Sequence, residues 1–118
     1  MDKINLRNYA YLGDAVWELF VREKTILKTQ NANELHKITT DKVNARIQQE
    51  LLLRIQKLLT DEELGIIRRS RNLPIPVARK ANQAEYRMAT AFEALIGWWY
   101  KNDKTRLAEI EEILSEYL

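Results

Sequence analysis

A glycine stands in the middle of what the surrounding residues make a helix. From about Asn5 to Lys28 apolar residues recur at helical spacing: Leu6, Tyr9, Val16, Trp17 and Phe20. Gly13 interrupts that stripe, where glycine costs roughly 1 kcal/mol relative to alanine. A helix tolerates this where a second backbone has to come close. Asp14 and Glu18 lie four residues apart, on one face, among large apolar side chains. An acid in such a place is solvated, paired with a base, or holding a cation.

A second stretch has the same character. Residues 89–100, Ala-Thr-Ala-Phe-Glu-Ala-Leu-Ile-Gly-Trp-Trp-Tyr, are apolar almost throughout, and Glu93 is their single charge. Gly97 follows one turn later. Each glycine therefore neighbours an acid, and the spacing predicts that the two helices pack closely. The block Trp98, Trp99 and Tyr100 fits a core or a subunit interface better than a base-stacking platform.

Between these helices the chain has few places to break. It contains three glycines and two prolines in 118 residues, and no strand-like alternation. An all-α fold follows, read as one domain over residues 1–118. Asn31 with Glu34 forms a capping pair for a short helix carrying Leu35 and Ile38. Thr39-Thr40-Asp41 reads as the cap of a further helix reaching about Leu59, with Val43, Ile47, Leu51, Ile55, Leu58 and Leu59 as its stripe. Thr60 to Glu63 is a capping box for a helix ending between Arg69 and Asn72. Pro74 and Pro76 exclude a helix, so residues 74–82 read as a loop. The second glycine-bearing helix starts near Gln83 and ends near Lys101. Asn102-Asp103 caps a last helix from Lys104 to Tyr117.

Several functions are excluded or disfavoured at this level. With no cysteine there is no disulfide, thiolate zinc site or cysteine nucleophile. No apolar run approaches the ~18 residues of a membrane helix, and Met-Asp-Lys-Ile-Asn lacks a signal-peptide core, so a cytoplasmic protein is expected. A net charge of +2 is too small to argue for nucleic acid by itself. Its distribution says more: no acid lies between Arg68 and Lys80. Arg68, Arg69, Arg71, Arg79 and Lys80 could be a solvated helix end or a phosphate-contacting surface. Lys42, Asn44, Arg46 and Gln48 surround a helix start that also suits backbone contact. His36, the single histidine, reads as a surface or turn residue.

Leu12-Gly-Asp-Ala-Val16 and Phe92-Glu-Ala-Leu-Ile-Gly97, in this order, resemble the two signature helices of the ribonuclease III catalytic-domain family. The wording Tyr11-Leu-Gly-Asp-Ala-Val-Trp-Glu18 and the short chain look like the Mini-ribonuclease III group, the compact form without a separate double-stranded-RNA-binding domain. The resemblance covers nearly the whole chain. It implies a ribonuclease III-like helical bundle, a homodimer, and Mg²⁺-dependent cleavage of double-stranded RNA leaving 5′-phosphates, with precursor large-subunit (23S) ribosomal RNA as substrate. Asp14 and Glu93 would be the catalytic and metal-ligating acids; hard Mg²⁺ takes carboxylate oxygens and keeps several waters. The family sets two further acids near the metal, at positions held here by Ala10 and Thr90, losses that the Mini-ribonuclease III group shares. Glu18 is an outer ligand or the partner of a base. RNA contacts would fall to Arg68, Arg69, Arg71, Arg79, Lys80, Lys42 and Arg46, because A-form duplexes are gripped through phosphates and 2′-hydroxyls. The dimer would be built partly on the Tyr9, Val16, Trp17 and Phe20 stripe. The alternatives are a non-catalytic RNA-binding or ribosome-associated protein on the same fold, and a helical dimerisation adaptor.

Overall fold

In the computed structural model, residues 4–75 and 82–118 are described. The described residues form six α-helices: α1 (Leu6–Thr25), α2 (Ala32–Val43), α3 (Ala45–Ile55), α4 (Asp61–Arg71), α5 (Gln83–Asn102) and α6 (Lys104–Leu114). Short 3-10 turns follow α3 and α6, and no strand occurs among the described residues. The all-α expectation holds. The predicted loop at 74–82, with Arg79 and Lys80, lies mostly outside the described residues.

Helix α5 is the axis. Helices α1, α3 and α4 pack around it, and α6 closes one end. The core is the apolar stripe of each helix turned toward α5: Trp17 and Val21, Leu51, Leu52 and Ile55, Ile66 and Ile67, and Leu107, Ile110 and Leu114. Against them α5 presents Phe92, Leu95, Ile96 and Trp99. Trp17 meets Phe92 edge-on, with centroids 5.1 Å apart, an arrangement favoured by the ring quadrupoles.

The α1–α5 contact is closer than side chains permit. A Cβ on Gly13 would stand 1.7 Å from the Glu93 carbonyl oxygen, and one on Gly97 would stand 2.0 Å from that of Tyr9. The two helices cross backbone to backbone, as the mid-helix glycines predict. Tyr9 and Trp17 are fully buried in this contact, and Val16 and Phe20 are half-buried against the same core. The stripe assigned to a dimer interface is therefore spent inside the monomer. The exposed apolar residues of α1 lie on its other face: Tyr11 and Leu19, with Ile26 and Leu27 just beyond the helix end.

Local chemistry sets the ends. Thr60 and Glu63 form the expected capping box, and the Asn31 side chain caps α2. The predicted cap at Thr39-Thr40-Asp41 is not used. Thr39 is buried and shares a 2.9 Å hydrogen bond with Thr25, and the Thr40 hydroxyl donates back to the His36 carbonyl. One hydroxyl ties α2 to α1 and the other bonds back within α2, so neither caps a new helix and α2 runs on to Val43. Asn44 makes the break instead: its side-chain oxygen accepts from Ile47 N–H, and its amide donates to the Thr40 and Asp41 carbonyls. On α3 it is Leu52, rather than the exposed Leu58, that joins the core.

Glu63 has a second task that capping logic does not reveal. It is 4% exposed, and its carboxylate accepts from Trp99 Nε1 at 2.8 Å and from Arg106 at 3.1 Å. Arg106 also donates to the Leu58 carbonyl at 2.7 Å, locking α6 onto the start of α4. Desolvation raises the Glu63 carboxyl and the Arg106, Thr60 and Trp99 hydrogen bonds lower it; the lowering wins. Trp99 is thus core, Trp98 is half-buried and Tyr100 is exposed, so the aromatic block is not one patch.

Gly13→Ala should destabilise the protein by roughly 3 kcal/mol or more, because a methyl group has no room at a backbone contact. A thermal melt followed by circular dichroism should show a fall of more than about 10 °C; an unchanged melting temperature would contradict the crossing geometry.

Candidate active site

Two turns of helix and one crossing bring the acids together. Gly13 lies against the carbonyl of Glu93, so Asp14, the next residue of α1, arrives beside the Glu93 side chain. The two carboxyl groups are within hydrogen-bonding reach. Asp14 lies on the exposed side, in an open groove of about 370 Å³ that it shares with Ala15, Glu18, Leu19 and Arg22. Glu93 sits deeper, half-buried on α5. From the third side, Gln48 of α3 donates Nε2–H to Glu93 Oε2 at 3.5 Å.

This arrangement cannot hold two free negative charges comfortably. Burial pushes the Glu93 carboxyl up to about 8; the hydrogen bond to Asp14 and its charge push the same way, and the Gln48 hydrogen bond opposes them. Without a counter-ion Glu93 keeps its proton near neutral pH, because burial and the adjacent Asp14 both disfavour its charge. A cation between them would remove the conflict. The donors are hard oxygens, two carboxylates with a carboxamide nearby, which suits a divalent ion such as Mg²⁺ that retains several waters. Among the described residues no cluster of three or more acids or histidines is available. Ala10 is buried and Thr90 half-buried, and neither adds charge.

The remaining candidates are placed as follows. Glu18 pairs with Arg22 at 2.6 Å on the rim of the Asp14 groove, which favours its reading as the partner of a base. Arg68, Arg69 and Arg71 are exposed at the end of α4. Arg87 of α5 donates to the Arg71 carbonyl at 2.6 Å, and Arg7 of α1 donates to the Pro74 carbonyl at 2.7 Å. These two staples fix the path of the chain leaving α4. Nothing in the sequence pattern singled them out. Arg46 is exposed and paired with Glu50, a contact of small energy that leaves it available. Lys42 is half-buried and donates to the Tyr117 carbonyl at 3.3 Å. His36 is exposed, as expected. Gln48 is not at the surface: it is 2% exposed and turned toward Glu93, contrary to its grouping with backbone-contacting residues. Its signal was present, since a polar residue occupies the stripe position before Leu51, Leu52 and Ile55.

Comparison with known proteins gives the class of this all-α bundle. Residues 7–104 match the ribonuclease III domain, so the chain belongs to the ribonuclease III domain family, a family of endoribonucleases. Within it, the chain is similar to proteins named Mini-ribonuclease 3. That of Gloeobacter violaceus is 40% identical over 99% of this chain and 90% of its own length, and that of Clostridium tetani 41% identical over 89% and 72%. A solved structure of a protein from Fusobacterium nucleatum superposes with a TM-score of 0.85 at 32% identity, covering 97% of this chain and 93% of the other.

The raised Glu93 carboxyl has a pH signature. The native state holds a proton that the unfolded chain releases near its ordinary value of 4.5. Stability is therefore fully present below about 4.5 and is lost progressively as pH rises toward about 8. In chelator, the melting temperature should fall between pH 5 and pH 8, and Glu93→Gln should flatten that slope. A slope equal in both proteins would contradict the buried pair.

Proposed function

We propose that this chain cleaves double-stranded RNA by metal-assisted hydrolysis, with Asp14 and Glu93 as the residues that hold the cation. The observation that carries the reading is the convergence of these acids, from separate helices, where two backbones touch. The proposed cofactor is Mg²⁺, which when bound supplies a Lewis acid toward a phosphate oxygen and a water activated at neutral pH. Glu93 would hold the cation as its carboxylate, and its half-buried position keeps that carboxylate oriented on one side. Asp14, on the open side, faces the groove through which the phosphate arrives. Water attack in line with the departing sugar oxygen leaves a 5′-phosphate and a 3′-hydroxyl.

Arg68, Arg69 and Arg71 form the proposed phosphate-gripping surface, with Arg46 and Lys42 as lesser contributors; Arg79 and Lys80 belong to the same proposal from the sequence. Arg7 and Arg87 hold the backbone that carries Arg71 and Pro74. The substrate proposed is precursor large-subunit (23S) ribosomal RNA in the cytoplasm, and residues 1–118 are proposed to act as a single catalytic domain. No described helix is long and apolar enough to cross a membrane. A homodimer is proposed on the outer face of α1, where Tyr11 is 84% exposed and Leu19 61% exposed, beside Asp14. Two-fold symmetry would set one site against each strand of a duplex.

Asp14→Asn and Glu93→Gln should each abolish cleavage of duplex RNA in Mg²⁺ while leaving RNA binding and the circular dichroism spectrum intact. Near-wild-type cleavage by either variant would refute the assignment. The combined Arg68→Ala, Arg69→Ala and Arg71→Ala variant should raise KM and flatten the salt dependence of binding, because fewer counterions are released. An unchanged slope in a filter-binding salt series would return these arginines to a solvated helix end.

A further inference from the structure

We propose that Gln48 is a positioning residue of the cleavage site, fixing the Glu93 carboxylate from the α3 side and setting which of its oxygens faces the cation. This rests on the metal-assisted reading above. Gln48 is 2% exposed, in the first turns of α3 and at a position where the helix otherwise turns Leu51, Leu52 and Ile55 into the core. An amide there needs a polar partner, since an unpaired buried amide is costly. The partner it has is Glu93 Oε2. At 2% exposure the side chain is in no position to grip an RNA backbone.

The placement of Gln48 is secured from behind. Asn44 caps α3 through Ile47 N–H and ties its own amide to the last carbonyls of α2, so the first turn of α3 has one register. Glu93 is thereby flanked by Asp14 on the open side and Gln48 on the closed side. The amide nitrogen occupies Oε2 and leaves Oε1 for the cation. A neutral donor also favours the ionised carboxylate that a cation needs, without adding a competing charge.

The test is calorimetric titration of Mn²⁺ into the RNA-free protein, for wild type, Gln48→Met and Gln48→Leu. Both variants put an apolar side chain of similar bulk in its place and remove the donor. Each should bind Mn²⁺ about 10- to 100-fold more weakly, the range typical of lost outer-shell partners. With duplex RNA, kcat should fall by a similar factor while KM for RNA stays within twofold. Affinity within twofold of wild type in a variant that melts normally at pH 5 would overturn the proposal, and so would an effect confined to KM. Asp14→Asn serves as the control. If it binds Mn²⁺ as wild type does, the metal-site reading fails and the role of Gln48 with it. If it loses binding and the Gln48 variants do not, the inference about Gln48 alone fails.

Discussion

The structure depends on one contact without side chains. At Gly13 and Gly97 the backbones of α1 and α5 touch, each glycine lying against a carbonyl of the other helix. Everything functional is referred to that crossing. It sets the distance between α1 and α5, hence the packing of Trp17 on Phe92, and it delivers Asp14 to Glu93. Bulkier residues would separate the helices, and with them the carboxyl groups. The glycines therefore position the proposed site without chemistry of their own.

The second constraint is electrostatic. A carboxyl group raised to about 8 by burial and by a neighbouring acid is out of balance in the protein alone. The fold tolerates that imbalance because α1–α5 packing is extensive and the crossing admits no relaxation. Elsewhere the chain solves the same problem by pairing: Glu63 is buried too, yet Arg106 and Trp99 hold its carboxyl below the ordinary value. The contrast separates a structural acid from a site acid. Glu63 is satisfied by the fold, whereas Glu93 meets another acid and one long amide hydrogen bond.

Most of the fold was legible because the chain has few breakers and strong caps. The helix limits at Thr60 and Asp103 fall where capping chemistry places them, whereas α5 begins at Gln83 behind Asn82 with no side-chain cap. The α2–α3 break was misplaced because the hydroxyls that resemble a cap are used elsewhere, Thr39 on α1 and Thr40 within α2, and Asn44 makes the turn. The acid pair was legible through the glycines beside it and through resemblance. What pattern could not give was partnership across the fold. Gln48 looked polar and hence superficial, and Glu63 looked like a cap. Arg7 and Arg87 reach carbonyls 67 and 16 residues away, a distance no local motif encodes. The dimer stripe was misassigned for a related reason: a helix apolar on two faces does not say which face the monomer keeps.

The central claim is that the glycine crossing builds a cation site from Asp14 and Glu93. Anomalous scattering from crystals grown with Mn²⁺ measures this directly. The account predicts a strong peak between the two carboxylates, contacting an oxygen of each, with the Gln48 carboxamide behind Glu93. A peak on other residues, or well-ordered carboxylates in Mn²⁺ with no peak between them, would contradict it.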